Sequence, residues 1–428
     1  MASLADKLKS LGVKIGASEL PTPPPREQTA APIEDVVDGC WIETRRGPAF
    51  ISDIGYPSEH RHGQMGLFPS APLHNLAHWA GDSRLHDLPI EKIAFLDTET
   101  SGLAGGTGTY AFLVGIGRFQ PADGTTEKGK AAHEFTLRQF FMRSPGEEAA
   151  LLEALLDFLA PCEALVTFNG KAFDAPLLAT RYRLHSIPVP FHGFSHVDLL
   201  PLARRLWRDR LPSRALKYLE EHVMGAPRGL EEVPGYEIPF LYFDYLRTGD
   251  ARPLKGVFYH NAMDIVAMTA LFSHTASMLA DPHSADIEHG LDVVALAKLF
   301  ENLGKHDDAA RLYERGLAST LPEAGFAEAL QRYSILQRRR SDLESAVELW
   351  LRAAGEGHVY AHIELSKHHE HRQREVREAL RWARSALELA QAPSLPPYIR
   401  NRWTEEINRR IERLEKKLNK SPEGEEIP

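Results

Sequence analysis

Residues 93–100, IAFLDTET, begin as an unbroken apolar run and end on two acids. Such a run reads as a buried strand. Side chains two apart on a strand point to one face, so Asp97 and Glu99 project together. Two more acids stand in different settings. Asp174 follows Phe173 at the expected start of a helix, after the short strand ALVTF. Asp264 lies in the apolar-periodic segment YHNAMDIVAMTALF, with His260 one helical turn before it and so on the same face.

Four acids that converge without a cation repel one another, and some of their pKa values rise. The set therefore implies a metal. Phosphodiester hydrolysis must activate a water and stabilise charge on the attacking and leaving oxygens. Two divalent cations about 3.5–4 Å apart do both. Mg²⁺ is hard and keeps several waters, so a few carboxylates and a substrate phosphate complete its shell. His260 suits a general base, since an unperturbed imidazole titrates near 6.5.

Five blocks carry a family resemblance: DTETSGLAGGTGTYAFLVGIG at 97–117, NGKAFDAPLL at 169–178, HVDLLPLARRLW at 196–207, LPSRALKYLEEHVMG at 211–225 and HNAMD at 260–264. Together they resemble the DnaQ-like, or DEDD, 3′→5′ exonuclease superfamily, and within it the bacterial YprB-like branch. The resemblance covers residues 89–280 well and the remainder loosely. It implies an α/β RNase H-like fold, a mixed five-stranded sheet flanked by helices. It also implies two Mg²⁺ or Mn²⁺ ions held by Asp97, Glu99, Asp174 and Asp264. The expected activity is metal-dependent hydrolysis of nucleic acid, DNA or RNA, from a single-stranded 3′ end. One departure concerns the base. In the histidine subclass it lies five residues before the last aspartate, and in the tyrosine subclass four. Here Tyr259 has the first spacing and His260 the second. His260 is preferred because its spacing shares the helix face with Asp264.

Candidate substrate contacts follow. GLAGGTGT lacks the Gly-Lys-Ser/Thr of a nucleotide P-loop and precedes an apolar strand rather than a helix. It reads as a glycine-rich turn, or as a place where a nucleic-acid backbone comes close to Asp97, with Thr107 and Thr109 donating to phosphate. Asn169 either orients substrate or hydrogen-bonds its own turn. ARRLWRDRLPSRALK supplies Arg204, Arg205, Arg208, Arg210, Arg214 and Lys217 against Asp209 alone. It is read either as a phosphate track or as a solvated helix surface. Trp207 reads as packing rather than as a base-stacking platform, Asp198 as a helix cap, and His60 and His62 as surface histidines.

A chain of 428 residues suggests roughly two to three domains. A net charge of −9 argues against broad nucleic-acid coating but leaves room for a local basic track. Cys40 and Cys162 form no disulfide framework, which fits a reducing, cytoplasmic setting. No uninterrupted apolar run approaches the roughly 18 residues of a membrane span, and the nearest candidate is taken to be LLEALLDFLAPCEALVTF. Residues 1–35, with PTPPP, read as a disordered proline-rich segment, 36–88 as a small extension packed on the main domain, and 89–285 as the RNase H-like domain.

Beyond about 288 strand signals vanish, and 288–420 carries a tetratricopeptide-like rhythm of helix pairs closed by a charged helix. The repeats carry no chemistry of their own and are expected to hold a protein partner. A chain ending near 285 is accordingly expected to keep cleavage if it folds. Two competing functions are a nuclease-like scaffold that binds nucleic acid and a protein without robust catalysis, and a structure-specific endonuclease using the same acids.

Overall fold

The computed structural model describes residues 30–69, 71–102, 108–125, 131–284, 287–393 and 395–420. The proline-rich run at 21–25 and Thr107 lie outside the described residues. Residues 30–35, assigned by sequence to the disordered segment, are docked. Ile33 is fully buried, and the Ala31 carbonyl accepts a hydrogen bond of 2.8 Å from the Ala251 N–H.

The sheet has seven strands, not five. β1 (Cys40–Thr44), β2 (Gly47–Tyr56), β5 (Ile93–Thr100), β6 (Ala111–Thr125), β7 (Ala131–Phe141), β8 (Ala164–Thr167) and β9 (Ser195–Asp198) lie in the order β1-β2-β7-β6-β5-β8-β9. β3 (Arg61–His62) and β4 (Met65–Gly66) form a separate small hairpin. The five strands from β7 to β9 are the expected core. β6 runs antiparallel to β5 and β7, whereas β8 and β9 continue parallel from β5. The two added strands come from the N-terminal extension, whose β2 pairs antiparallel with β7 from Phe50↔Phe141 to Tyr56↔Phe135. The extension therefore covers an edge that β7 would otherwise leave open to pairing with another chain.

One face of the sheet packs against helix Glu148–Leu159 and helix Asp174–Leu184, through Ala94, Leu96, Leu155 and Tyr182. The other face receives Leu254–Ala280, the longest helix among the described residues, around Phe95, Ile265 and Phe272. That helix, rather than the segment expected from sequence, is the one long and apolar enough to span a membrane, but 78% of its apolar window is buried inside the protein. Two glycines on β6 let it approach. A Cβ at Gly115 would sit 2.3 Å from Asn261 Oδ1, and one at Gly117 would sit 2.8 Å from Ile265 Cγ2.

After the sheet the chain is helical. Pairs begin at Gly290–Asn302 with His306–Leu317, then Glu323–Arg339 with Leu343–Gly355, then Val359–His368 with Val376–Ala390, and Pro397–Lys420 closes the series. The first pair is joined to the sheet domain by one continuous core. Helix Leu199–Trp207 packs on Gly290–Asn302, and Trp207 is buried there, as its packing reading requires.

That contact redirects much of the basic segment. Arg210 Nε donates to Asp292 Oδ2 at 2.8 Å, Arg205 Nη2 to the Lys298 carbonyl at 3.1 Å, and Arg214 Nη1 to the Leu211 carbonyl at 2.8 Å. Lys217 reaches Glu232 at 3.4 Å. Arg204, Arg205, Arg208 and Lys217 remain exposed, with Arg208 beside Asp209. Three of the six thus hold the helical region in place or their own turn together.

Candidate active site

β5 is buried through Leu96 and partly open from Asp97 onward. Its carboxylates therefore stand toward the C-terminal end of this central strand, where Asp97 pairs across to Gly115 and Glu99 to Leu113. Asn261, on the long helix, donates to Asp97 Oδ2 at 2.9 Å. It is held in turn by Gln139 Nε2, which donates to Asn261 Oδ1 at 2.9 Å and to the Phe258 carbonyl at 2.9 Å. This buried amide pair fixes one Asp97 oxygen and leaves the other for a ligand.

Asp174 is brought in by a turn after β8. Asn169 adopts φ 70°, and its N–H donates to Asp198 Oδ1 at 2.8 Å. Asp198 also accepts from the N–H groups of Lys171 at 3.2 Å and Leu200 at 3.1 Å. It is thus the expected helix cap and, beyond that, the clamp on the loop before Asp174. Asp174 is the first residue of its helix, and Thr98 Oγ1 donates to its Oδ1 at 2.5 Å. Phe173, just before it, is 60% exposed, unusual for so large a ring.

On Leu254–Ala280, His260 and Asp264 face the same way. His260 Nε2 lies 3.6 Å from Asp264 Oδ2. Tyr259, the other candidate base, accepts a hydrogen bond at 3.2 Å from the Gly229 N–H.

Sequence reasoning missed the groups beneath this helix. Arg228 is 2% exposed and lies among Glu220 (1%) and Glu232 (8%). Its Nε donates to Glu220 Oε2 at 2.6 Å, its Nη1 to Glu232 Oε1 at 3.0 Å, and its Nη2 to Asp264 Oδ1. Glu232 Oε1 also lies 3.1 Å from His260 Nδ1. His62, expected at the surface, instead reaches Glu220 at 2.7 Å from the small hairpin. The sequence around Arg228, GAPRGLEEVPG, has neither helical nor strand periodicity. Its signal was an arginine four residues before a glutamate inside a resembling block's flank, which is weak by itself.

The electrostatics show that the acids act on one another. Withdrawal from solvent, then Asp264, Glu99 and Asp174, hold Asp97 well above the ordinary carboxylate range. Glu99 is raised in the same way, by burial and then by Asp264 and Asp174. Burial also raises Asp174, against the Thr98 hydrogen bond. Arg228 is held firmly charged, because Asp264 and Glu220 outweigh the cost of its burial.

Among the described residues, the three ligand groups that come within 4.8 Å of one another are His74, His86 and Asp87, all exposed. Their two imidazoles stack face to face at 3.5 Å. No three of the four acids are as close as that. Thr109 is the last residue of the glycine-rich segment, of which 103–107 fall outside the described residues.

Residues 94–276 match the family model of the RNase_H superfamily. The chain is 33% identical over 379 residues to the uncharacterized protein YprB of Bacillus subtilis (strain 168), covering 86% of each chain. Among solved structures, the family B DNA polymerase of the hyperthermophilic archaeon Pyrobaculum calidifontis overlaps 50% of this chain and 30% of its own, at a TM-score of 0.32 and 15% identity.

Proposed function

The chain belongs to the family of Bacillus subtilis YprB and carries an RNase H-superfamily domain, and on that premise we propose that it is a metal-dependent nuclease of the DEDD type. The observation that carries this reading is the meeting of Asp97, Glu99, Asp174 and Asp264 beside the C-terminal end of β5, where burial and mutual repulsion call for a cation. Asp97, Glu99, Asp174 and Asp264 would hold Mg²⁺ or Mn²⁺, an all-oxygen donor set that fits hard cations. Bound ions would supply positive charge to the attacking and leaving oxygens of the phosphodiester. Asn261 and Thr98 keep the Asp97 and Asp174 carboxylates oriented. His260 takes the proton of the attacking water through Nε2, the nitrogen that faces Asp264. The preferred substrate is a single-stranded 3′ end, cleaved exonucleolytically. Arg204, Arg205 and Arg208 are the exposed members of the basic segment proposed to meet its phosphates, with Asn169 beside the Asp174 turn. The helical pairs are read as a tetratricopeptide-like platform for a protein partner.

The test is cleavage of end-labelled single- and double-stranded DNA and RNA with Mg²⁺ or Mn²⁺. Metal-dependent loss of nucleotides from one end supports the reading. No cleavage of any substrate by well-folded protein would favour the scaffold alternative, and internal products the endonuclease.

His260→Ala should lower kcat by about 10²–10⁴-fold, the usual worth of a positioned proton acceptor, with metal binding retained. If Tyr259→Phe is the crippling change instead, the base is the tyrosine.

A pH effect follows from the raised acids. In the unfolded chain Asp97 and Glu99 ionise near their ordinary values of 3.8 and 4.5. In the folded chain they ionise later. Their contribution to stability is full below the unfolded values and is lost as pH rises through the folded ones. Divalent ions prefer ionised carboxylates, so stabilisation by Mn²⁺ should grow over the same interval. Thermal melts at about pH 5 and about pH 8, with and without Mn²⁺, measure this. An equal Mn²⁺ effect at both would remove the acids as its source.

A further inference from the structure

We propose that Glu232 is a positioning residue that sets the tautomer and direction of His260, and that Arg228 holds Glu232 in place to do so. The proposal rests on the nuclease reading above and deepens it. An ionised carboxylate can only accept. At 3.1 Å from Glu232 Oε1, His260 Nδ1 is placed to donate to that oxygen. A neutral ring that does so keeps its lone pair on Nε2, on the side of Asp264. A proton acceptor aimed at the metal-binding edge needs this tautomer, and an imidazole free in solution has no such constraint.

Glu232 is itself fixed. Arg228 Nη1 lies 3.0 Å from Oε1 and 3.3 Å from Oε2 of Glu232. The same guanidinium spans to Glu220 and Asp264, so a single buried cation sets the positions of an oriented base and a candidate metal ligand. The loop that carries both residues rests against the long helix. A Cβ at Gly256 would fall 2.5 Å from Val233 Cγ1, so a glycine is what lets the loop lie there. At the far end His62 closes on Glu220, which ties the N-terminal hairpin to the same network. Fully buried ion pairs add little net stability over apolar residues. A network of this kind at a catalytic edge is better explained by orientation.

The experiment compares Glu232→Ala and Glu232→Gln in the full chain. Nitrogen-15 histidine spectra of the metal-free protein report which ring nitrogen of His260 bears hydrogen, and cleavage of a short single-stranded oligonucleotide with Mn²⁺ gives kcat and KM. In the wild type His260 should carry its hydrogen on Nδ1. Glu232→Ala should release that preference and lower kcat about 10–100-fold, the usual worth of a partner that orients a ligand or base. KM and Mn²⁺ affinity should stay close to wild type. Glu232→Gln keeps an accepting oxygen and should keep the tautomer and most of kcat. In a His260→Ala background, Glu232→Ala should have almost no further effect.

An unchanged tautomer or unchanged kcat in Glu232→Ala overturns the proposal. So does equal loss in both variants with the tautomer retained. Should Glu232→Ala fail to fold, Glu232→Gln and the wild-type spectrum still decide it, since a wild-type hydrogen on Nε2 contradicts the geometry. A wild-type protein that cleaves nothing would end the nuclease reading, while the tautomer comparison would still settle what Glu232 does to His260.

Discussion

Asp97→Asn should eliminate cleavage and Mn²⁺ binding while leaving the protein folded, and in the absence of metal the variant should melt at or above the wild-type temperature. The substitution preserves size and an oxygen for Asn261 to donate to, so packing is conserved. What it removes is a charge that burial and three neighbouring acids disfavour. Relieving that repulsion favours the metal-free fold. The loss in rate should be large, because the metals' charge stabilisation is worth several kcal/mol, or roughly 10³-fold and more. Asp264→Ala would be a poorer choice. It strips buried Arg228 of a partner, and a buried charge left without its partner is costly in itself. Calorimetric titration with Mn²⁺, thermal melts and the oligonucleotide assay give the three readouts. Wild-type Mn²⁺ binding by Asp97→Asn would sink the four-acid site.

How much of this was legible in the sequence depends on how local each signal was. The acids were found because each sits in a local pattern. IAFLDTET announces a strand, and the spacing of His260 and Asp264 announces one helix face. Strands Ile93–Thr100 and Ala164–Thr167 and the start of helix Asp174–Leu184 fell where IAFLDTET, ALVTF and Asp174 placed them for the same reason. The two extra strands were not legible as sheet. Whether a β-like run joins an edge depends on its register with a partner, and β2 meets a strand some 85 residues away, as in the Asp53–Arg138 pair. Part of the basic segment was illegible for a related reason. Arg210 looks available for phosphate until Asp292, 82 residues later, is placed beside it. Arg228 and Glu232 had no period to reveal them. They matter only because the loop folds back on the long helix.

A chain ending at residue 285 should fail to fold as a stable monomer, contrary to what the separate helical rhythm suggests. One apolar core runs without a break from Phe95 and Phe272 through Trp207 to Leu296, Tyr313, Leu336 and Trp350. Cutting at 285 strips the cover from helix Leu199–Trp207 and removes Asp292, the partner of Arg210 and of the Trp207 indole. It also removes Arg315, which donates to the His283 carbonyl. Each large apolar side chain returned to water costs about 1.5–3 kcal/mol. Two or three of them rival a domain's whole stability of about 5–15 kcal/mol. A cut after residue 393 is different. The last helix closes two small clusters, around Ile407 and around Leu414, that lie outside the main core. Its loss should frustrate only the neighbouring pair, as expected where each repeat leans on the next. Circular dichroism melts, gel filtration and the oligonucleotide assay compare the two cuts. The shorter chain should aggregate or melt without cooperativity, and the longer one should stay monomeric and active. If the chain ending at 285 is cooperative and active, the first helix pair is an appended platform and not part of the catalytic domain's core.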